Sequence, residues 1–259
     1  MPAELKSTSH GMTMVLTLSN PEQHNALGPA IYAAGVEALG VAEGNPEIRS
    51  VVIVGEGRLF SAGGDLHRLR ANRQEPAAVQ SANVEALHSW IDDIRTFPKP
   101  VIAVVEGAAA GAGFSLALAC DMVVAARNAV FSMAYSNIGL SPDGGASWSL
   151  AQNLPRPLAT EMLMLGDRLP ADRLHALGLV NRLAEPGQAL EEALALAERL
   201  NAMAPNALTS IKELLGEAMQ NSLHRQLAAE HGHFLKNLFH ENAGLGINAF
   251  LEKKTPKFV

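Results

Sequence analysis

The chain has a single cysteine, Cys120, among its 259 residues, which excludes an intramolecular disulfide framework and suits a reducing compartment. Cys120 ends an apolar run that starts at Leu116, and no cation adjoins it. We therefore expect a small buried hydrophobe there rather than a nucleophile. Residues 1–6 contain no basic segment followed by a long apolar stretch, so we expect a cytoplasmic protein.

The sequence also lacks an excess of basic charge and any long hydrophobic run. Its 20 Lys and Arg residues against 26 Asp and Glu give a formal net charge of −6, which argues against nucleic acid as a partner. The longest apolar stretch, 108–120, is interrupted by Gly111, Gly113 and Ser115. It is too short to cross a bilayer, so no membrane partner is expected. With 48% hydrophobic and 18% charged residues, the apolar surplus should enter a core or a subunit interface.

Short apolar runs alternate with helical patterns over the first half of the chain. The runs mix β-branched and other apolar residues, as strands do, and they occupy residues 12–18, 51–55, 101–105 and 122–126. Helices are predicted between them, at residues 29–43, 77–96 and 112–120. This order predicts an α/β fold.

After about residue 150 the strand signals stop. Helices are predicted at residues 157–165, 171–177, 189–204, 206–219 and 241–251, with prolines at several of their boundaries. We therefore predict two parts, an α/β core over residues 1–195 and a helical region over residues 196–259.

A glycine-rich turn at residues 60–66 follows the second predicted strand. Gly63 and Gly64 can adopt a positive φ and expose backbone N–H groups. Asp65 is a natural helix N-cap, which leaves the preceding amides free to face an anion or a polarised carbonyl. A Gly-Gly-Asp sequence alone is also an ordinary turn.

A second segment of small residues, 106–115, again joins a strand to a helix. The amide of Ala112 would lie at the positive end of the helix dipole, where it can stabilise negative charge. The alternative is tight helix packing by small side chains. The segment lacks the Gly-Lys-Ser/Thr ending that a phosphate-binding P-loop requires.

A third segment, residues 134–145, places one carboxylate, Asp143, in a proline and glycine turn before a helix. Asp143 could simply cap that helix. Held in an apolar pocket instead, its carboxylate would be a stronger base that suits proton transfer.

These three segments, in this order, closely resemble the crotonase superfamily of enoyl-CoA hydratases and isomerases, over about residues 10–255. The resemblance implies an α/β spiral of β-β-α units and a helical C-terminal region that builds a homotrimer or a dimer of trimers. It implies an acyl-CoA thioester as substrate, with coenzyme A as part of that substrate and no bound cofactor. The matching amides of Ala62 and Ala112 would form an oxyanion hole for the thioester carbonyl. The substrate-binding positions that it implies are Ala26, Gly63, Gly64, Asp65, Leu66, Gly111, Ser115 and Tyr135.

The departures from the family pattern favour one reaction over another. Hydratases of the family activate water with two glutamates, and the matching positions here are Ser115 and Tyr135. Asp143 matches the catalytic aspartate of several isomerases, and the Ser-Pro-Asp-Gly-Gly sequence resembles 1,2-epoxyphenylacetyl-CoA isomerase-like members best. We therefore predict an isomerase of unsaturated or epoxidised acyl-CoA. Hydration or hydrolytic ring opening through Asp143, and a non-catalytic acyl-CoA-binding oligomer, are the alternatives.

Two clusters of charged or metal-ligating side chains carry less weight. His231 and His233 beside Glu230 fall on different faces of a helix, so we predict no metal site. The terminal lysines of residues 252–257 either form a solvated tail or meet the CoA phosphates.

Overall fold

The computed structural model describes residues 3–259, and within them the chain forms nine strands, eleven α-helices and two short 3₁₀ helices. The strands are β1 (Glu4–His10), β2 (Thr13–Ser19), β3 (Ser50–Gly55), β4 (Val101–Val105), β5 (Ala108–Ala110), β6 (Met122–Ala126), β7 (Val130–Ser132), β8 (Leu169–Pro170) and β9 (Arg182–Ala184). The helices are α1 (Pro29–Gly44), α2 (Leu66–Asn72), α3 (Ala77–Thr96), α4 (Ala112–Ala119), α5 (Ala146–Asn153), α6 (Arg156–Leu165), α7 (Ala171–Ala176), α8 (Ala189–Asn201), α9 (Pro205–Ala218), α10 (Leu223–Leu238) and α11 (Glu241–Leu251).

A six-stranded sheet in the order β1-β2-β3-β4-β6-β9 forms the centre of the core. Only the β1–β2 pair is antiparallel, and the other four pairings are parallel. Strand β4 is buried at every residue, as its continuous apolar run predicts for a parallel strand covered on both faces. One face packs against α1, α3 and α4, while α8 covers the other across β2, β3, β4 and β6.

A second, three-stranded sheet in the order β5-β7-β8 lies beyond the carboxyl ends of β4 and β6. After β4 the chain makes a short turn, forms β5 and continues into α4. The same arrangement of a main-sheet strand followed by a strand of the second sheet recurs at β6 and β7. Two strands followed by a helix therefore form the repeating unit. This mixed α/β architecture, followed by a helical C-terminal region, confirms the predicted fold class.

The C-terminal helices are attached to the core by polar contacts and leave much apolar surface exposed. Lys212 on α9 donates to the Asp121 carboxylate at 2.8 Å and to the carbonyl of Ile94 at 2.9 Å. Large apolar side chains on α9, α10 and α11 have more than half of their surface exposed; they are Ile211, Leu215, Leu223, Leu227, Phe234, Phe250 and Leu251. The predicted boundary at 195/196 falls inside α8, and the division into two parts stays a prediction.

Several elements coincide with the predicted ones. Helix α3, strands β4 and β6 and helix α11 have the predicted bounds, and β3 and α1 differ from theirs by a single residue at one end. The prediction that strands stop after residue 150 is wrong, because β8 and β9 follow it. Both are short edge pairings, and β8 contains Pro170, so neither carries a periodic apolar signal.

Helix α1 packs against α3 through a glycine that no other residue can replace without a clash. A Cβ on Gly35 would overlap the indole ring of the fully buried Trp90. Gly40 lies in the same helix and is exposed, and no atom of the described chain lies within 4 Å of the position of its Cβ.

We expect Gly35→Ala to lower the free energy of unfolding by about 1–3 kcal/mol, because overpacking against Trp90 outweighs the gain in helix propensity. The matched variant Gly40→Ala should raise it by about 0.5–1 kcal/mol. Urea unfolding followed by circular dichroism measures both. Equal stabilisation by the two substitutions would contradict the packing described.

Candidate active site

The two glycine-rich segments of the sequence meet as a short parallel pairing. Ser61 forms a bridge with Ala109, and the Ala110 amide donates to the Ser61 carbonyl at 2.9 Å. A Cβ on Gly113 would lie 2.7 Å from both the Cβ and the carbonyl oxygen of Ser61. Only glycine at position 113 therefore allows the segments to approach this closely.

The amide of Ala62 is already used within the protein. It donates to the carbonyl of His24 at 2.9 Å, and the next amide, that of Gly63, donates to Ser61 Oγ at 3.1 Å. The prediction that Ala62 supplies an oxyanion-hole donor is therefore wrong. The cause is a long-range contact, since the turn that contains His24 folds back onto this loop.

The amides of Gly64 and Ala112 are both without a partner. Within residues 3–259 neither donates a hydrogen bond to the protein. Gly64 pairs with Leu27 in a parallel bridge, but the hydrogen bond of that bridge runs from the Leu27 amide to the carbonyl of Gly63. The two segments are close, because a Cβ on Gly63 would lie 3.1 Å from the Ala112 nitrogen. Ala112 is the first residue of α4, so its N–H lies at the positive end of that helix. The Gly64 and Ala112 amides are therefore available as donors to a ligand oxygen.

The other predicted residues of these turns shape the loop in different ways. Asp65 is the N-cap of α2, and its Oδ1 accepts from the amides of His67 and Arg68 at 2.8 and 3.2 Å, as predicted. Gly111 is the N-cap of α4 with a φ of 50°. Ala26 is buried and lines a cavity of about 240 Å³ together with Asp65. Leu66 is 56% exposed.

Asp143, Tyr135 and Ser115 form one hydrogen-bonded cluster. The Tyr135 hydroxyl donates to Asp143 Oδ1 at 2.7 Å and lies 3.2 Å from Ser115 Oγ. Ser115 Oγ in turn donates to the backbone carbonyl of Asp143 at 3.0 Å. Gly145, not Asp143, is the N-cap of α5, and no side chain of residues 3–259 caps that helix. The simple capping role for the Asp143 carboxylate is therefore excluded.

The cluster adjoins the two turns. Ser115 is one helical turn after Gly111 in α4, and a Cβ on Gly111 would lie 3.8 Å from the Tyr135 ring. Tyr135 is 8% exposed, and burial raises its pKa well above the usual range, with the Asp143 charge adding to that effect. Its phenol therefore stays protonated as a hydrogen-bond donor to the carboxylate.

Three residues near this cluster escaped the sequence analysis. Burial raises the pKa of Tyr32 to about 12; the adjacent Arg68 guanidinium opposes that shift and the Asp143 charge adds to it. His88 Nε2 accepts from the Gly144 amide at 3.3 Å and so supports the turn after Asp143. Only the scarcity of tyrosine, two in the whole chain, could have drawn attention to Tyr32.

The arrangement suits chemistry in which negative charge develops on an oxygen while a proton moves nearby. Two unpartnered backbone amides on adjoining turns can stabilise the oxygen, and a carboxylate held by a neutral phenol can carry the proton. Nδ1 of His233, on α10, lies 3.6 Å from Oε2 of Glu213. Within the described part of the chain no group of three His, Cys, Asp or Glu side chains is placed to hold a metal ion. No helix of residues 3–259 has both the length and the apolar character needed to span a membrane.

Because both tyrosines have raised pKa values, the native protein should show no tyrosinate absorbance at 295 nm near pH 10, where model phenols titrate. In 6 M guanidinium both should ionise near about pH 10. The protonated, buried Tyr32 hydroxyl stabilises the folded state relative to the unfolded state. This stabilisation is complete below about pH 10 and is lost as the pH rises towards about 12. Two tyrosinate equivalents with a midpoint near 10 in the still-folded protein would contradict the burial of these hydroxyls.

The chain matches a known enzyme family over nearly its whole length. The sequence model described as Enoyl-CoA hydratase/isomerase covers residues 8–259. The 1,2-epoxyphenylacetyl-CoA isomerase of Escherichia coli (strain K12) is 35% identical over 248 residues, which cover 95% of this chain and 94% of that protein. The 2,3-dehydroadipyl-CoA hydratase of the same organism is 34% identical over 256 residues, which cover 99% and 98%.

Solved structures lead to the same family. The crystal structure of an enoyl-CoA hydratase from Polaromonas sp. JS666 superimposes with a TM-score of 0.98 at 67% sequence identity, covering 99% of this chain and 100% of that one. The chain therefore belongs to the enoyl-CoA hydratase/isomerase family of acyl-CoA enzymes, the crotonase superfamily that its three motifs resemble.

Proposed function

We propose that the protein isomerises an unsaturated or epoxidised acyl-CoA thioester by moving a proton through Asp143. The observation that carries the proposal is the composition of the Ser115–Tyr135–Asp143 cluster. By the motif resemblance, Ser115 and Tyr135 occupy the positions that match the two glutamates of the family's hydratases. Asp143 is thus the only carboxylate of the cluster, which suits one residue that takes up and returns a single proton.

The proposed first step is removal of a proton from a carbon conjugated with the thioester. The electron pair of the C–H bond moves into the conjugated system, and the negative charge develops on the thioester oxygen. The amides of Gly64 and Ala112 would hold that oxygen, since they lie on adjoining turns and neither donates to another group of residues 3–259. Return of the proton to a different carbon completes a double-bond shift without any net change in atoms or electrons.

Tyr135 and Ser115 are proposed to orient the carboxylate. With Oδ1 of Asp143 bound by the Tyr135 hydroxyl, Oδ2 makes no hydrogen bond to residues 3–259 and is the oxygen available to the substrate. Ser115 fixes the backbone of the same residue through its carbonyl. Coenzyme A enters with the substrate, so the proposed reaction requires no bound cofactor.

A second candidate is hydration or hydrolytic ring opening, in which Asp143 activates water. Turnover of crotonyl-CoA at ordinary hydratase rates would favour it. A non-catalytic acyl-CoA-binding oligomer is the third, and acyl-CoA binding without turnover or proton exchange would be its signature. The exposed apolar side chains of α9 to α11 support the further proposal of a homotrimer or dimer of trimers.

We expect Asp143→Asn to lower both isomerisation and the exchange of substrate protons in deuterated water by about 10²–10⁴-fold, because the amide cannot accept the proton. Mass spectrometry of the recovered thioester measures the exchange. Asp167→Asn is the matched control, since Asp167 is exposed outside the cluster, and it should leave both rates unchanged. Unaltered exchange in Asp143→Asn would rule out Asp143 as the base.

Gly113→Ala should lower the turnover rate by about 100–1,000-fold, the loss typical of one oxyanion donor. The added Cβ would press on Ser61 and separate the Gly64 and Ala112 amides. Gly216→Ala, with no atom within 4 Å of the new Cβ, is the control.

A crystal of the wild-type enzyme with an acyl-CoA should place the thioester oxygen within about 3.2 Å of both amides. Contact with the Ala62 amide instead would overturn this assignment.

A further inference from the structure

The peptide group between Asp143 and Gly144 is held at both of its polar atoms. Its carbonyl accepts from Ser115 Oγ at 3.0 Å, and its N–H donates to His88 Nε2 at 3.3 Å. The carbonyl also accepts from the Ala146 amide at 3.3 Å, whereas within residues 3–259 the N–H has no partner other than His88. Without the imidazole, this buried N–H would be left unpaired.

The turn itself does little to fix this peptide. Gly144 and Gly145 have φ values of 58° and 75°, and glycine has more conformational freedom to lose than any other residue. A larger side chain cannot stiffen position 144, because a Cβ there would lie 2.9 Å from the Ser115 Cβ and 3.5 Å from Leu87 Cδ2. The orientation of the peptide therefore depends on the side chains that bind it from α3 and α4.

The peptide in turn sets the direction of the Asp143 carboxylate. The Cα of Asp143 belongs to the same peptide plane, so a rotation of that plane moves the side chain relative to Tyr135, whose hydroxyl binds Oδ1 at 2.7 Å. Proton transfer requires a base within hydrogen-bond reach of the proton. A displacement of about 1 Å can cost about 100-fold in rate.

We propose that His88 is a positioning residue of the reaction, which holds the Asp143 carboxylate in its working orientation through the Gly144 amide. This inference rests on the proposed function for the role of Asp143 as the base. Nε2 accepts a hydrogen bond here, so the neutral imidazole carries its hydrogen on Nδ1. The property required at position 88 is a hydrogen-bond acceptor as far from the helix as Nε2.

Substitutions at position 88 separate this role from a general effect on folding, because the side chain is exposed. With 3-hexenoyl-CoA as substrate, we expect His88→Ala to lower kcat by about 10–100-fold. KM should be unchanged, since the substitution displaces the base and not the groups that bind the thioester.

A pair of amide side chains tests the position of the acceptor. His88→Gln should retain most of the wild-type kcat, because its Oε1 accepts a hydrogen bond about as far along the side chain as Nε2. His88→Asn is one bond shorter and should behave as His88→Ala. His10→Ala is the matched control, since His10 is an exposed histidine on β1, and it should behave as the wild type.

A double substitution tests whether His88 acts through Asp143. If it does, His88→Ala should cause no further loss in the Asp143→Asn background, because residues that act as one unit have non-additive effects. Deuterium exchange into 3-hexenoyl-CoA, followed by mass spectrometry, measures the wild type, both single variants and the double variant. Equal losses in the two backgrounds would overturn the proposal.

Crystal structures of the variants test the same geometry without any turnover. In His88→Ala the distance from the Tyr135 hydroxyl to Asp143 Oδ1 should exceed about 3.5 Å, whereas His88→Gln should keep that hydrogen bond. An unmoved carboxylate in His88→Ala, or wild-type kcat in that variant while Asp143→Asn is impaired, would overturn this inference alone. Full activity of Asp143→Asn would overturn the proposed function and this inference together.

Discussion

The contact between Ser61 and the segment from Ala109 to Gly113 is the constraint on which the site depends. Two separate strand exits of the main sheet are joined there by backbone hydrogen bonds, at a distance that only glycine at position 113 allows. Because main-chain atoms set the spacing, the two free amides are held rigidly before any ligand arrives. Such preorganisation is what makes backbone donors effective at a developing charge.

A strained turn decides which amides remain free. His24 and Asn25 have φ values of 55° and 54°, a left-handed conformation that costs non-glycine residues about 1–3 kcal/mol. The Asn25 side chain compensates by donating to the carbonyls of Glu56 and Leu59 at 2.9 and 2.8 Å. The same turn presents the His24 carbonyl to Ala62. The strained turn therefore occupies the Ala62 amide with a hydrogen bond and leaves the Gly64 amide available to a ligand.

The sequence predicts those features that depend on local pattern. The apolar runs of β4 and β6 and the boundaries of α3 follow from residue type and proline positions, and the Asp65 cap follows from its place before a helix. The choice of Gly64 over Ala62 could not be predicted, because it depends on a hydrogen bond to a residue 38 positions away. Arg68 escaped for the same reason, since its contact with Leu27, 41 positions away, exists only in the folded chain.

The cover of the main sheet by α8 has a consequence for synthesis of the chain. The face that α8 buries is built from β-branched side chains of β2, β3, β4 and β6, including Val52, Ile102 and Val124. These strands are complete at residue 126, whereas α8 ends at Asn201. At ribosomal speed that interval lasts about 4–15 s. During that time the nascent chain presents an uncovered apolar sheet face, the kind of surface that chaperones protect from aggregation.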